Sequence, residues 1–370
     1  MRLRQAAISG ASVLALATAA TLIAVQAPVA NAASAGNRMV AATVPLTPSV
    51  GDYKGTLSNG VRTFRLTAVE VEQQIATFPI QHAKVFGWKV TGAPDSTAST
   101  PGPTLIAYAG EKVRFVVTNQ LTMPTSLHPH GTHQPNSADG VAGIDFNPIK
   151  PGATRTYPTY KPGHAGTFAY HTHTQTAMQE PKGLAGQFII LPKKVRASEN
   201  PQVDVAMTLQ TFNPSNDGGL TIADDAPTAT MPDGRGMWPF NTINGKTGDA
   251  EGAPITIRKG NLVQIRLYNA SGATHSMHLH GQDMKLVAIN GHTVTPQTVT
   301  TKAISPGEFF TLQFRANNPG NWVFHCSFPD HQANAGISGY QGAPVGMTRI
   351  FHYKGAPAVP KQYFGPPATS

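Results

Sequence analysis

The sequence predicts an all-β protein in which one Greek-key β-sandwich or barrel domain occurs twice in tandem. Charged residues make up only 13% of the 370 residues, whereas glycine occurs 36 times and proline 31 times. This composition is typical of short strands that are joined by tight turns. Apolar residues recur at every second position in Val113, Phe115 and Val117, which predicts a strand with one buried face.

Two segments of the chain match each other at a constant separation. The apolar strand after Gly110 has a counterpart after Gly260, 150 residues later. A His-x-His-Gly motif follows each glycine at the same distance, at 128–131 and again at 278–281. Further along, Tyr-His-Thr-His at 170–173 matches Phe-His-Cys-Ser at 324–327. Such an internal repeat predicts two copies of one domain.

The N-terminus has the features of a secretory signal. Arg2 and Arg4 form a basic start, an apolar stretch follows at 13–25, and Ala30-Asn31-Ala32 is a small-x-small cleavage site. The apolar stretch is too short for a membrane span. We therefore expect a secreted or periplasmic protein without a membrane span. The predicted organisation is a signal peptide at 1–32, a loose N-terminal arm at 33–49, a first domain at 50–195, a linker at 196–202, a second domain at 203–355 and an extended tail at 356–370.

The charge pattern argues against nucleic-acid binding. The formal net charge is +9, and it falls to +7 when Arg2 and Arg4 are left out. The basic residues are scattered, and no basic run is interleaved with aromatic residues as nucleic-acid-binding surfaces usually are.

Histidines are concentrated in four short motifs. Side chains alternate between the two faces of a strand, so both histidines of a His-x-His motif lie on one face and can bind the same metal centre. The motif histidines are His128, His130, His171, His173, His275, His278, His280, His325 and His331. The isolated His82, His164, His292 and His352 are interpreted as ordinary surface or strand residues.

Cys326 is the only cysteine, so it cannot form a disulfide within the chain. Its neighbour His325 points to the opposite face of the strand, whereas His275, three residues before His278, is expected on the face of Cys326. Two imidazoles and one thiolate, with a weak axial thioether, are the ligands of a blue-copper site. The sequence thus predicts a mononuclear site at His275, Cys326 and His331. Met347 is the axial candidate. The alternatives are that Met347 belongs to the core of the strand that follows and that Ile337 is near the copper instead.

The four motifs, in this order, resemble the copper-binding motifs of multicopper oxidases, and the arrangement is similar to the two-domain, small laccase-like type. The resemblance covers nearly all of residues 50–355 and implies two cupredoxin-like domains, of which only the second has type 1 copper. It implies type 1 copper at His275, Cys326, His331 and Met347, type 2 copper at His128 and His278, and a type 3 pair at His130, His171, His173, His280 and His325.

The resemblance also implies how the cluster is assembled. The type 2 and type 3 coppers would lie between the first domain of one subunit and the second domain of the next, in a homotrimer closed head to tail. Asp139 resembles the family's acid that assists proton delivery to oxygen. The competing interpretation of Asp139 is a turn cap, because Asp-Gly commonly occupies turns.

One position departs from the family pattern. The family has His-Cys-His, whereas this chain has His325-Cys326-Ser327, and a serine hydroxyl is a poor copper ligand. The cluster is therefore one type 3 ligand short, so it binds fewer coppers or holds one weakly. His133 is the nearest spare imidazole, and a bend at Gly131 would be needed to bring it to the cluster.

These features predict an exported oxidase that takes single electrons from a phenolic, aromatic or metal-ion donor and reduces molecular oxygen to water. One alternative is a copper nitrite reductase, a family that keeps its cysteine in the first domain and has Asp where this chain has His128. Another alternative is a copper-binding electron-transfer protein with an incomplete cluster, which Ser327 would explain.

Overall fold

The computed structural model describes residues 37–77, 80–214, 220–221, 229–230, 236–237, 239–333 and 345–359. The predicted signal peptide, Ile337 and residues 360–370 of the predicted tail lie outside the described residues. Among the residues described, no helix has the length and hydrophobicity that a membrane span requires.

Two open sheets form the N-terminal sandwich. One sheet has the strand order β2-β6-β11-β10-β8, and the other has the order β3-β4-β7-β9 with β5 paired to β4. The strands are β1 Met39–Val40, β2 Asp52–Tyr53, β3 Thr56–Ser58, β4 Val61–Thr77, β5 Ile80–Val90, β6 Thr104–Tyr108, β7 Lys112–Asn119, β8 His128–His130, β9 Thr154–Thr156, β10 Gly166–His171, β11 Ala185–Leu191 and β12 Val195–Arg196. Aromatic side chains fill the space between the sheets, namely Phe64, Trp88, Phe115, Phe168, Tyr170 and Phe188.

The C-terminal sandwich has a sheet of order β14-β13-β19-β24-β21-β22, with β17 on β13, and a sheet of order β18-β26-β25-β20-β23. The strands are β13 Val203–Pro214, β14 Leu220–Thr221, β15 Ala229–Thr230, β16 Gly236–Met237, β17 Phe240–Ile243, β18 Ile255–Ile257, β19 Leu262–Asn269, β20 His275–Leu279, β21 Met284–Ile289, β22 His292–Val299, β23 Thr301–Ile304, β24 Phe309–Arg315, β25 Asn321–Cys326 and β26 Thr348–Tyr353. Within the described residues, helical structure is limited to α1, Thr176–Gln179, and short 3-10 turns at Asp95–Thr97, Asn136–Ala138, Gly248–Glu251 and Pro329–Gln332.

The two sandwiches share one strand order around their histidine motifs. The order β6-β11-β10-β8 in the first corresponds to β18-β26-β25-β20 in the second, with the same parallel and antiparallel pairings. The all-β, two-sandwich prediction is therefore confirmed. The described sheets are open, so "sandwich" rather than "barrel" is the correct term.

The described part of the N-terminal arm is not loose, which corrects the prediction. Strand β1 pairs with β12, at the start of the predicted linker. The Thr43 amide donates to Asn200 Oδ1 at 3.0 Å, and the Leu46 amide donates to the Asp204 carbonyl at 2.8 Å. Ala42 and Val44 pack against an apolar cluster between the sandwiches. The arm is held because these contacts satisfy its backbone and bury its small apolar side chains.

Polar and apolar contacts join the two sandwiches. Arg266 of β19 forms an ion pair with buried Asp204 at 2.9 Å and donates from its guanidinium to Thr167 Oγ1 of β10 at 2.9 Å. Gln187 of β11 donates to the Arg266 carbonyl at 3.1 Å. Phe309 packs in a cluster with residues of both sandwiches. The histidine-bearing strands β8 and β10 are thereby fixed against the second sandwich.

Candidate metal centres

His275, Cys326 and His331 lie together in the second sandwich. Their ligand atoms are all within 4.8 Å of one another, and all three residues are buried. His275 Nδ1 lies 3.1 Å from His331 Nδ1, which in turn lies 3.3 Å from Cys326 Sγ. Adjacent strands β20 and β25 supply the first two residues, and the turn Pro329–Gln332 supplies the third. The structure therefore brings the residues of the predicted mononuclear set together.

Met347 lies beside this group. Its backbone N–H donates to the His331 carbonyl at 2.9 Å, and its carbonyl accepts from the Cys326 N–H at 3.2 Å. Its side chain is buried in the same apolar cluster as Cys326. Gly346 is required before it, because a side chain there would collide with the His331 carbonyl. The position fits the axial candidate, and ligation by its thioether stays a prediction.

Burial controls protonation at this site. It lowers the pKa of His275 to about 3 and raises the pKa of Cys326 to about 11. His275 is therefore neutral at pH 7, as a metal ligand must be, while the Cys326 thiol gives up its proton when a metal binds. Ser271 Oγ, 2.8 Å from His275 Nε2, holds the imidazole with Nδ1 towards the other ligands.

In the first sandwich, a group of hydrogen-bonded polar side chains occupies the position that corresponds to the mononuclear site. Thr125 corresponds to His275, and Thr172 corresponds to Cys326. Both hydroxyls donate to Oε1 of fully buried Gln179, at 2.8 and 3.2 Å. Gln179 in turn donates to the Pro124 carbonyl at 2.8 Å. An amide bridge of this kind replaces the metal-binding set and supports the prediction that the first domain has no type 1 copper.

A second group of ligands lies at one end of β8 and β10. The ligand atoms of His128, His130 and His171 are all within 4.8 Å of one another. His128 and His171 are directly opposite each other in the antiparallel register, and His130 Nδ1 lies 3.2 Å from His171 Nε2. The predicted partner His173 follows β10, and its ring centroid is 5.5 Å from that of His128. It lies at the edge of the group rather than within it.

Two carboxylates orient these imidazoles. Asp139 Oδ1 lies 3.2 Å from His128 Nδ1, and the Asp139 carbonyl accepts from the same nitrogen at 2.8 Å. Asp139 therefore contacts a candidate ligand and is more than a turn cap. Glu180 Oε2 lies 3.3 Å from His171 Nδ1. The sequence prediction missed Glu180, because it follows α1 outside every motif and only the fold brings it to His171.

The charges of this group follow from burial and from these carboxylates. Burial and the neighbouring imidazoles lower the pKa of His130 to about 4 and also lower the pKa of His128. Burial alone would lower the pKa of His171 as well, but the hydrogen bond and charge of Glu180 outweigh it, so that this pKa is raised.

A third group lies on the opposite face of β20 and β25 from Cys326. It consists of His278, His280 and His325, again with all ligand atoms within 4.8 Å. His280 Nε2 lies 2.9 Å from His325 Nε2, and burial lowers the pKa of both imidazoles. His278 Nδ1 is fixed by the Thr300 carbonyl at 2.7 Å. The grouping is the one that strand alternation predicts, while copper binding by these residues stays a prediction.

No described imidazole takes the place of the missing ligand at Ser327. The Ser327 N–H donates to the Ser276 carbonyl at 2.7 Å, and the residue is half-buried. Gly131 does bend the chain, with φ +87°, but His133 then lies beside His164 and His292, not in either trio. The possibility that His133 completes the cluster is therefore wrong for this structure.

The donor types fit copper at all three groups. Two imidazoles and one thiolate suit a blue-copper centre, and exclusively imidazole groups suit copper as well. Models of multicopper oxidase domains match residues 95–195 and 221–338. A solved multicopper oxidase, mgLAC, is 30% identical with a TM-score of 0.67, and the match covers 81% of this chain and 88% of that one. The chain belongs to the multicopper oxidase family.

Other proteins similar to this chain differ more in length. A laccase of Neurospora crassa is 30% identical over 319 residues, which cover 80% of this chain but 48% of the relative. A probable nitrite reductase-hydroxylamine oxidoreductase fusion protein of Kuenenia stuttgartiensis is 27% identical over 252 residues, or 64% of this chain and 26% of the relative. The chain thus spans about half or less of these curated relatives. A blue copper oxidase of Nitrosomonas europaea, 24% identical with a TM-score of 0.63, has the same fold.

Proposed function

We propose that this multicopper oxidase is an exported enzyme that takes electrons singly from a small reductant at a type 1 site and uses them to reduce oxygen to water at a type 2/type 3 cluster. The observation that carries the proposal is the back-to-back arrangement of β25. Cys326 belongs to the mononuclear group, and the adjacent His325 belongs to a histidine trio. When bound, copper supplies the one-electron redox chemistry that these side chains lack.

The two groups are linked through only one peptide unit. His325 Nδ1 donates to the Cys326 carbonyl at 2.7 Å, so a hydrogen bond runs beside the covalent connection. This bond also fixes the imidazole with Nε2 towards His280. A short, rigid link of this kind supports electron transfer between the groups, because both ends are held in place.

The donor is proposed to approach at His331. This residue keeps 6% exposure, whereas His275 and Cys326 are completely buried. Phe328 is 42% exposed, and its ring meets that of His331 edge-on with centroids 5.2 Å apart. Asp330, next to His331, is exposed as well. An aromatic or phenolic donor suits Phe328, and a cationic or metal-ion donor suits Asp330.

Asp139 is the proposed proton-delivering residue. It lies between solvent and His128, because its side chain keeps 27% exposure while its Oδ1 is 3.2 Å from His128 Nδ1. Gln134 donates to the same oxygen at 2.6 Å and holds the carboxylate in place. A carboxylate in this position can take protons from solvent and release them beside the cluster.

The second candidate function is copper-dependent electron transfer without oxygen reduction, which Ser327 favours. In this case the mononuclear site works, but the cluster binds too little copper for turnover. Nitrite reduction has less support, since His128 stands where the reductase family has Asp and the lone cysteine lies in the second sandwich.

Copper content, oxygen uptake and nitrite turnover, measured on one preparation of mature protein, separate the three functions. The oxidase requires about three or four coppers per chain and oxygen uptake that depends on the donor. Type 1 copper without turnover would support the electron-transfer function. Nitrite-dependent release of nitric oxide would support the nitrite reductase. Cys326→Ser is the control, because it removes the thiolate and must abolish both blue absorption and turnover.

A further inference from the structure

Three histidines outside the copper motifs form a group of their own where the sandwiches meet. His133 and His164 belong to the first sandwich, and His292 begins β22 of the second. The ring centroids of His164 and His292 are 4.5 Å apart, and those of His133 lie 5.8 Å from His164 and 6.2 Å from His292. His133 and His292 are exposed, and His164 is half-buried.

These separations are close to those in the candidate copper groups. There the centroid distances are 5.5, 5.2 and 5.4 Å in the first sandwich, and 4.9, 5.6 and 5.0 Å in the second. The ligand atoms of this trio do not all lie within 4.8 Å of one another, as those of the candidate copper groups do. Bonds of about 2.0–2.1 Å to one ion therefore require the exposed His133 and His292 side chains to rotate towards His164.

The turn that carries His292 is fixed against the first sandwich. Asn290 and Gly291 form it with φ +50° and +82°, and a side chain at Gly291 would collide with Phe168. His164 Nε2 donates to the Gly291 carbonyl at 3.1 Å. This hydrogen bond sets the His164 tautomer and leaves Nδ1 as the atom that can bind a metal.

The backbone also holds His133 in position. His133 has φ +55°, a left-handed conformation that is unfavourable for a non-glycine residue and persists only where the surrounding structure holds it. Its ring lies against Gly163, where an added Cβ would be 3.2 Å from His133 Nδ1. The bend at Gly131 thus separates His133 from the trio of His128, His130 and His171 and directs it to the junction.

We propose that His133, His164 and His292 bind one divalent transition-metal ion of the Cu²⁺ or Zn²⁺ class, separate from the oxidase coppers. Three neutral imidazoles suit both ions, and Cu²⁺ is expected to bind more tightly. Because the ligands come from both sandwiches, the ion connects the two domains. Binding to the folded state alone raises the apparent stability of the protein.

The test uses tag-free, copper-loaded protein, with copper content measured before and after addition of Zn²⁺. Calorimetric titration should give one Zn²⁺ per chain, without loss of copper, and the melting temperature should rise with Zn²⁺ concentration. His292→Ala and His133→Ala should each weaken Zn²⁺ binding by at least about 10-fold. His82→Ala, which changes an exposed histidine on β5, is the matched control and should bind as the wild type does.

Electron paramagnetic resonance with added Cu²⁺ gives an independent measurement. A new signal with coupling to nitrogen should appear in the wild type and be absent from His292→Ala. Unchanged Zn²⁺ affinity in both variants, or no binding beyond that of other exposed histidines, would overturn the proposal. None of these measurements uses oxygen turnover, so the result does not depend on the proposed oxidase activity.

Discussion

Ser327 immediately follows Cys326 and lies two residues after His325, a candidate ligand of the second sandwich. Its backbone is fixed by the hydrogen bond to the Ser276 carbonyl, so its Cβ has a defined position at the end of β25. The local framework of the missing ligand is thus retained, although a hydroxyl cannot replace an imidazole on copper. We therefore predict that the copper content of the proposed cluster depends on this one side chain.

Ser327→His is expected to increase both copper content and oxygen uptake. The variant adds one imidazole to those that face the proposed cluster. Each further ligand lowers the rate at which copper is lost. Atomic absorption and an oxygen electrode measure the two effects. Ser327→Gln is the control, since it adds comparable bulk without an imidazole. Oxygen uptake that stays at the wild-type level in a variant with more copper would show that Ser327 does not limit turnover.

Metal binding at the mononuclear site should release the Cys326 proton at neutral pH. The Cys326 pKa of about 11 lies far above 7, so the thiol has a proton to lose, whereas the His275 pKa of about 3 lies far below 7, so this imidazole has none. Affinity for Co²⁺, which reports thiolate binding by its absorption, should therefore rise about tenfold per pH unit between roughly pH 6 and 8. A flat profile would contradict thiolate ligation, and Cys326→Ser should lack the absorption band.

The grouping of the candidate ligand residues could be predicted because they are carried by motifs with strand periodicity, as in His325 and Cys326. The residues around them could not be. Glu180 reaches His171 only through the packing of the turn after α1, and Gln179 bridges two threonines that lie 47 residues apart. The sequence indicates only that a bend at Gly131 would be needed to redirect His133, and the direction that His133 takes depends on contacts with His292 of the second sandwich.

Strands β20 and β25 place two candidate metal-binding groups on opposite faces. Met277 is opposite Cys326 and His278 is opposite His325, so successive cross-strand pairs face the core and the histidine trio in turn. Strands β8 and β10 have the same relation, with His128 opposite His171. In that sandwich the inward face has no metal-binding set, and Gln179 with its threonines stabilises it instead.

Gln179→Leu should destabilise the first sandwich by about 1–3 kcal/mol, because the hydroxyls of Thr125 and Thr172 and the Pro124 carbonyl lose a buried partner. Denaturant unfolding measures the loss. Gln120→Leu, at an exposed position after β7, is the matched control and should change stability by less than about 0.5 kcal/mol. Equal stability of both variants would mean that the amide bridge contributes nothing to the fold.

The chain as a whole is a duplicated sandwich. The first half has one candidate histidine trio, whereas the second half has a histidine trio and the candidate mononuclear group. The duplication could be predicted from the constant separation of the repeats, and the sheets have the same strand order. The ordered arm and the buried contacts of Arg266 with Asp204 and Thr167 could not, since they join segments with no sequence signature. Within one chain, the trio of the first sandwich and the trio of the second form two separate groups.

Subunit complementation tests whether the two trios meet between chains. His130→Ala removes a ligand of the first sandwich, and His280→Ala removes one of the second, so each homo-oligomer should be inactive. In a mixed head-to-tail ring, a junction is intact when it joins the unaltered first domain of one variant to the unaltered second domain of the other. Random mixing makes about one quarter of the junctions intact.

Co-expression should therefore restore about a quarter of the wild-type oxygen uptake per chain. Two variants of the same sandwich, His130→Ala with His171→Ala, should restore none. No recovery in mixed trimers would place a complete cluster within each chain or show that no cluster forms.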